Sequence, residues 1–246
     1  SPWIAMLCAV LAGLLAGAVT GLLHVLLGIP PILAGILTQM VLWSVNLKIL
    51  GKANQALPAR SIDVLLTQMN IPAALPVLLG WAAVLVTLLV LFFSTELGCA
   101  LRATGCNPVM SRAQGVNTGL MKVIGLALSN AVVAMSGGLL CQYQGYTDVN
   151  MGRGAVVIGL AAVVIGQAVL GRHGGHMAAQ LGGVVLGAVI YYIVYQVIIF
   201  AGFDTDLLKM FSAVVVAVFL GVPHVRDQIR TNSRIKKGGS RHAENA

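Results

Sequence analysis

Charged side chains are scarce in this chain: 9% of its 246 residues are Asp, Glu, Lys or Arg, against 58% hydrophobic. A soluble globular domain carries about 25% charged residues, so water is excluded as the main solvent. Acids are scarcer than bases, with seven Asp and Glu against fifteen Lys and Arg. The net charge of +8 does not indicate nucleic acid, because the basic residues sit at the ends of apolar runs and in the tail and form no aromatic-interleaved patch. The four cysteines, Cys8, Cys99, Cys106 and Cys141, form no CxxC pair and lie in or near apolar segments. That argues against a disulfide framework and a zinc site and leaves inert thiols.

Several further absences bear on function. No G-x-x-x-x-G-K-[ST] motif is present, since Gly51-Lys52-Ala53 lacks both the first glycine and the hydroxyl; the chain has no such cradle for nucleotide phosphates. There is no nucleophile beside a base, no paired carboxylate within an apolar run and no metal set, so no enzyme and no cofactor are expected. His173-Gly174-Gly175-His176 has no third ligand of suitable type nearby, and its glycines read as a turn between spans.

What is abundant is long apolar sequence. About 20 apolar residues cross a hydrocarbon core about 30 Å thick at a helical rise of about 1.5 Å. Trp3–Gly28, Ala73–Phe93, Val123–Tyr143, Ala155–Gly171 and Ala178–Phe203 contain no charged residue. Ile29–Lys48, opening on Pro30-Pro31, and Leu207–Val222, with Lys209 at its outer end, extend the count to about seven spans. Barrel strands alternate with a period of two, whereas these runs are apolar all round; the expected fold is an all-α transmembrane bundle over residues 1–222, followed by a basic tail, 223–246. The chain opens Ser1-Pro2-Trp3 without Met or a basic leader, and the expectation is a fragment lacking amino-terminal helices of a longer polypeptide.

Orientation follows from the bases. With the loop Ser94–Lys122 inside, Arg102, Arg112, Lys122, Arg172, Arg226, Arg230, Arg234, Lys236, Lys237 and Arg241 are cytoplasmic and only Lys48, Lys52, Arg60, Arg153 and Lys209 are outside. This places the tail on the cytoplasmic side, against anionic lipid headgroups, and the chain in a plasma membrane. Gly13, Gly17 and Gly21 share one helical stripe, as do Gly183 and Gly187; each stripe fits close approach of another helix, of this chain or of a second subunit.

The loop 94–122 is too long for a tight connection. Asn107 is an N-cap, Pro108 suits the first helical position and Gly115 supplies a left-handed stop, which frames a short surface helix over Pro108–Gln114. Val109, Met110 and Ala113 fall on one face of it, with Ser111, Arg112 and Gln114 elsewhere.

The run Glu96-Leu97-Gly98-Cys99-Ala100-Leu101-Arg102-Ala103-Thr104-Gly105-Cys106-Asn107-Pro108, followed by Ala113-Gln114-Gly115-Val116-Asn117, resembles the cytoplasmic loop of ABC importer permeases of the branched-chain amino acid and ribose type. The likeness extends to Ala127-Leu128-Ser129-Asn130-Ala131 with Ser136-Gly137-Gly138, and to Gly159–Gly166, and covers most of Trp3–Val222. Gly28–Thr38 and Asn46–Gly51 are closer to the subgroup that travels with amino-acid binding proteins. The resemblance implies a permease without ATPase activity of its own, an ATP-binding subunit docked on a coupling helix, a solute-binding protein and a second permease copy. It implies that Asn107, Pro108, Val109, Met110, Ala113 and Gly115 carry the coupling, with Arg102 and Arg112 contacting the ATPase or lipid headgroups. The absence of Asp and Glu from the charge-free spans also argues against ion coupling; a gradient-driven carrier or a channel is the alternative, and a scaffold without transport is a third. Polar residues within spans, Thr38, Gln39, Ser129, Asn130 and Gln167, are candidates for the translocation path, and interhelical hydrogen bonding is the competing account of each. Tyr191, Tyr192 and Tyr195 either stack on an aromatic solute or serve packing and the membrane interface.

Overall fold

The computed structural model describes residues 2–57, 71–152, 155–170 and 177–200. Within these, the first long apolar run forms α1 (Pro2–Leu26) and the second forms α2 (Pro31–Leu50). Between them the chain reverses through Gly28 at φ +67°, a conformation that costs glycine least. The Nδ1 of His24 lies 2.7 Å from the Ile29 carbonyl. A carbonyl only accepts, so Nδ1 carries the proton and the bond pins the turn. Pro31 sits at the first helical position of α2, where its missing N–H leaves nothing unpaired, and Gly51 ends the helix at φ 67° with its N–H on the Leu47 carbonyl.

The chain then enters β1 (Asn54–Ala56), α3 (Ile71–Ser94), α4 (Glu96–Cys106), α5 (Pro108–Ala113), α6 (Thr118–Gln144) and β2 (Tyr146–Asp148). β1 and β2 pair antiparallel, Asn54 opposite Asp148 and Ala56 opposite Tyr146, with Leu57 N–H to Gly145 O and Val149 N–H to Ala53 O closing the ladder. This ribbon is a small addition to the expected all-α bundle. Its strands are three residues long, too short to leave a periodic signal, and it ties the end of α2 to the end of α6 opposite the α4–α5 loop.

The packed centre of the unit Ser1–Met151 is the α1–α6 pair. Gly13, Gly17 and Gly21 face α6 so closely that a Cβ on Gly13 would lie 2.6 Å from the Asn130 carbonyl oxygen, one on Gly17 2.6 Å from Ala127 Cα and one on Gly21 2.8 Å from Val123 Cα. The first glycine stripe is therefore a contact within the chain. Met6 and Leu139 are buried at one end of this pair, with Leu78, Trp81, Met135 and Tyr143 around them. α2 lies on α1 through Ala34 and Thr38, its two buried residues.

The second unit, Gly152–Ala246, contains α7 (Ala155–Leu170) and α8 (Met177–Phe200). They meet through small residues again: a Cβ on Gly166 would lie 3.0 Å from Val184 N, and one on Gly187 2.6 Å from Gly166 N. Gly183 and Gly187 thus serve packing inside the unit. Tyr191 is buried beside Ala161 and Ile165, with Tyr192 edge-on at 5.7 Å and Tyr195 stacked at 6.4 Å.

Five of the described helices are long and apolar enough to cross a membrane: Pro2–Leu26, Pro31–Leu50, Leu75–Ser94, Thr118–Gln144 and Met177–Phe200. The chain is a multi-pass helical membrane protein. About seven spans were expected. The expected span Ala155–Gly171 appears, over its described residues, as the apolar helix α7 (Ala155–Leu170). The expected span Leu207–Val222, the pair His173 and His176 and the tail 223–246 lie outside the described residues.

Candidate functional site

The loop joining α3 to α6 is built of three capped starts. Thr95 accepts from Gly98 N–H at 3.3 Å and opens α4. Asn107 Oδ1 accepts from both Val109 and Met110 N–H at 3.1 Å and opens α5. Asn117 Oδ1 accepts from Leu120 N–H at 3.1 Å and opens α6. Each cap satisfies backbone donors that the first helical turn leaves without partners. Sequence reading finds the second of these helices over Pro108–Gln114; α5 ends one residue earlier, at Ala113. It misses α4, which the Thr95 cap and the first-turn Glu96 signal locally but which is too short and too mixed in polarity to read as a span.

α5 is firmly seated. Ser111 is 6% exposed, and its hydroxyl donates to the Asn107 carbonyl at 3.0 Å. Gly115 turns the chain at φ +84°, and Val116 N–H donates to Ser111 O at 3.1 Å. Arg112, expected to reach a partner or lipid, sends Nε and Nη2 to Thr118 Oγ1 at 3.3 and 3.0 Å, fastening α5 to the first residue of α6. Arg102 is exposed on α4 with Nη2 3.5 Å from Cys99 Sγ. Leu101 of α4 rests over Gly125 of α6, where an added Cβ would stand 3.0 Å from Leu101 Cδ1. Val109 is 78% exposed and Met110 61%, and Pro108, Ala113 and the charged Arg112 are exposed on the same helix. Replacing Asn107 with alanine removes both cap bonds. The expected cost is about 1 kcal/mol, read as roughly fivefold faster hydrogen exchange at the Val109 and Met110 amides.

The polar residues expected in the path separate into two groups. Thr38 is buried and lies 2.9 Å from Thr20 Oγ1 across the α1–α2 contact, while Thr20 and Thr38 also stand 2.9 Å from the carbonyls of Ala16 and Ala34. Two protons serve three contacts, so one hydroxyl bridges the helices while the other turns back to its own carbonyl. Asn130 is half-buried with Nδ2 donating to Leu126 O at 2.9 Å. Gln39 on α2, Ser129 on α6 and Gln167 on α7 are exposed. Thr38 is therefore an interhelical contact. A double-mutant cycle of Thr20→Val and Thr38→Val, followed by thermal unfolding in detergent, is expected to give a coupling of about 0.6 kcal/mol. On α8, Tyr192 and Gln196 share an otherwise apolar groove of 540 Å³ with Val185, Val189 and Ile193, a pairing that sequence reading did not single out. Among the described residues no group of three His, Cys, Asp or Glu can hold a metal ion.

The chain has clear relatives. A family model described as branched-chain amino acid transport system / permease component matches residues 1–223. The tyrosine transport system permease protein of Clostridioides difficile is 35% identical over 237 residues, 96% of this chain and 78% of that protein. An uncharacterized protein of Rickettsia prowazekii is 27% identical over 218 residues, 88% of this chain and 77% of its own length. The autoinducer 2 import system permease protein LsrC of Escherichia coli is 30% identical over 189 residues, 73% of this chain but 52% of LsrC. No solved structure matches. With a family match running from the first residue through residue 223, and a loop of capped helices between apolar spans where the resemblance places it, this chain belongs to the family of branched-chain amino acid transport system permease components.

Proposed function

We propose that this chain is the membrane subunit of an ATP-driven importer that carries an amino acid, tyrosine or a close analogue, across the plasma membrane into the cytoplasm. A separate ATP-binding subunit docks on α4 and α5, a solute-binding protein delivers from the opposite side, and two permease copies frame the path. The tail 223–246 and the bases Arg102, Arg112 and Lys122 lie on the cytoplasmic side. The amino-acid assignment is supported by the likeness to the Clostridioides difficile tyrosine transport system permease protein.

The observation that carries the reading is the exposed Val109–Met110 tip on a helix that is itself rigidly held. An apolar tip in water has no structural use within this unit, and it suits a hydrophobic groove on another protein. The rest of the loop is a linkage. A displacement of α5 passes through the Arg112–Thr118 bonds and the Ser111–Val116 turn to the start of α6, and α6 is locked to α1 by backbone-close glycine contacts. Closure of an ATP-binding subunit thus moves α6 and α1 together, as one body.

The test is reconstitution of the complex in proteoliposomes with loaded binding protein outside and nucleotide at the ATP-binding subunit. Tyrosine uptake is expected with ATP and absent with ADP, a difference of at least about tenfold. Uptake at equal rate with ADP, or uptake driven by a proton or sodium gradient alone, rejects the reading.

A further inference from the structure

A hydroxyl in a membrane helix can bond back to the carbonyl one turn earlier, and Ser44, Thr87 and Ser94 all do so, to Met40, Ala83 and Val90. A primary amide is harder to satisfy, because it carries two N–H donors and a carbonyl acceptor. Gln39 and Asn46 are exposed on α2 and make no hydrogen bond among the described residues. They stand within one of the five spans. Counted from Pro31, Gln39 lies about 12 Å and Asn46 about 22 Å along a helix rising about 1.5 Å per residue, which brackets the middle of the membrane.

Trp43 lies between them. At about 100° per residue, Gln39, Trp43 and Asn46 fall within an arc of about 60°, and that arc is centred about 100° from the Thr38 side, where α2 meets α1. The indole is 40% exposed. Two amides facing hydrocarbon without partners would cost several kcal/mol, so this face looks onto water or a polar ligand and not onto lipid tails. An amide carbonyl accepts from an ammonium group, an amide N–H donates to a carboxylate, and an indole face stacks on a flat ring.

We propose that the Gln39–Trp43–Asn46 face of α2 is a recognition surface for the transported solute, and that the solute it fits is a zwitterion with an aromatic side chain. The two amides hold the charged ends and Trp43 selects the ring. The surface rests on the importer reading above and adds to it the residues that hold the solute. A second copy of α2 seated on this face is the rival occupant.

The test uses the whole complex in proteoliposomes, with Cys8, Cys99, Cys106 and Cys141 replaced by alanine and either Gln39→Cys or Asn46→Cys introduced. A membrane-impermeant thiol reagent is applied with and without about 20 mM phenylalanine or leucine. Both introduced thiols are expected to react, and phenylalanine to slow the reaction about fivefold by occupancy while leucine does not. Adding Trp43→Leu is expected to remove that protection and leave the unprotected rate within about twofold. Thiols silent to the reagent, as under a second copy, overturn the proposal; so does reaction without protection by phenylalanine, or equal protection by leucine. The reaction is read without ATP. Silent thiols in a complex with ATP-driven uptake sink this surface alone, while ATP-independent uptake with phenylalanine protection sinks the importer reading and leaves the surface standing.

Discussion

Replacing Val109 and Met110 together with aspartate is expected to bring ATP-driven uptake to background while leaving the helical content and membrane insertion of the chain unchanged. Both side chains are largely in water, 78% and 61% exposed, and neither the Asn107 cap nor the Arg112–Thr118 bonds involve them. The fold therefore has little to lose. Docked in an apolar groove, each side chain contributes about 1.5–3 kcal/mol, and a carboxylate in its place adds a desolvation cost of several kcal/mol. Together they exceed about 5 kcal/mol, a loss of more than about a thousandfold in affinity for the ATP-binding subunit. Val109→Ala alone is expected to weaken assembly about tenfold. Co-purification, ATPase activity and uptake read the result. Wild-type values in all three for the double variant remove the coupling role from α5.

The second large effect is on stability. Gly17→Leu is expected to lower the melting temperature in detergent by on the order of 10 °C, whereas Gly80→Leu on α3 leaves it unchanged. At Gly17 even the first added carbon would stand 2.6 Å from Ala127 Cα and 2.9 Å from Asn130 Cβ, with the Leu126 carbonyl oxygen also in the way. Backbone cannot rotate aside as a side-chain tip can, so α1 and α6 must part, and the contacts at Gly13 and Gly21 part with them. Gly17→Ala alone costs about 2–3 kcal/mol. At Gly80 an added Cβ meets nothing within 4 Å. Equal melting temperatures for the two leucine variants would mean that the α1–α6 approach is not what holds this unit.

The membrane-spanning helices were legible because charge is excluded from hydrocarbon, and gaps in charge mark them. α5 was legible because Asn107-Pro108 is a local signal whose meaning does not depend on the rest of the fold. Thr38 was not, since whether a threonine lines a path or meets Thr20 depends on which face of α2 touches α1. The glycine stripes fixed a close approach but not the partner, which is a property of tertiary packing. The ribbon was invisible for the opposite reason, as three residues carry no period. Trp43 and Asn46 stand in the sequence at helical spacing from Gln39, yet only the α1–α2 contact at Thr38 shows that their face is turned away from α1.

The ribbon sets an order of events in biosynthesis. β1 opens at Asn54 and β2 at Tyr146, so at about 5–20 residues per second the first strand waits roughly 5–20 s after synthesis for its partner. During that interval α1 and α2 have left the ribosome, while the α6 surface that receives the glycines of α1 has yet to be made. Until Gln144 is translated, the nascent chain holds the α1–α2 hairpin in the bilayer without the helix that packs on α1, which makes this the window in which a membrane chaperone or a quality-control protease would meet it.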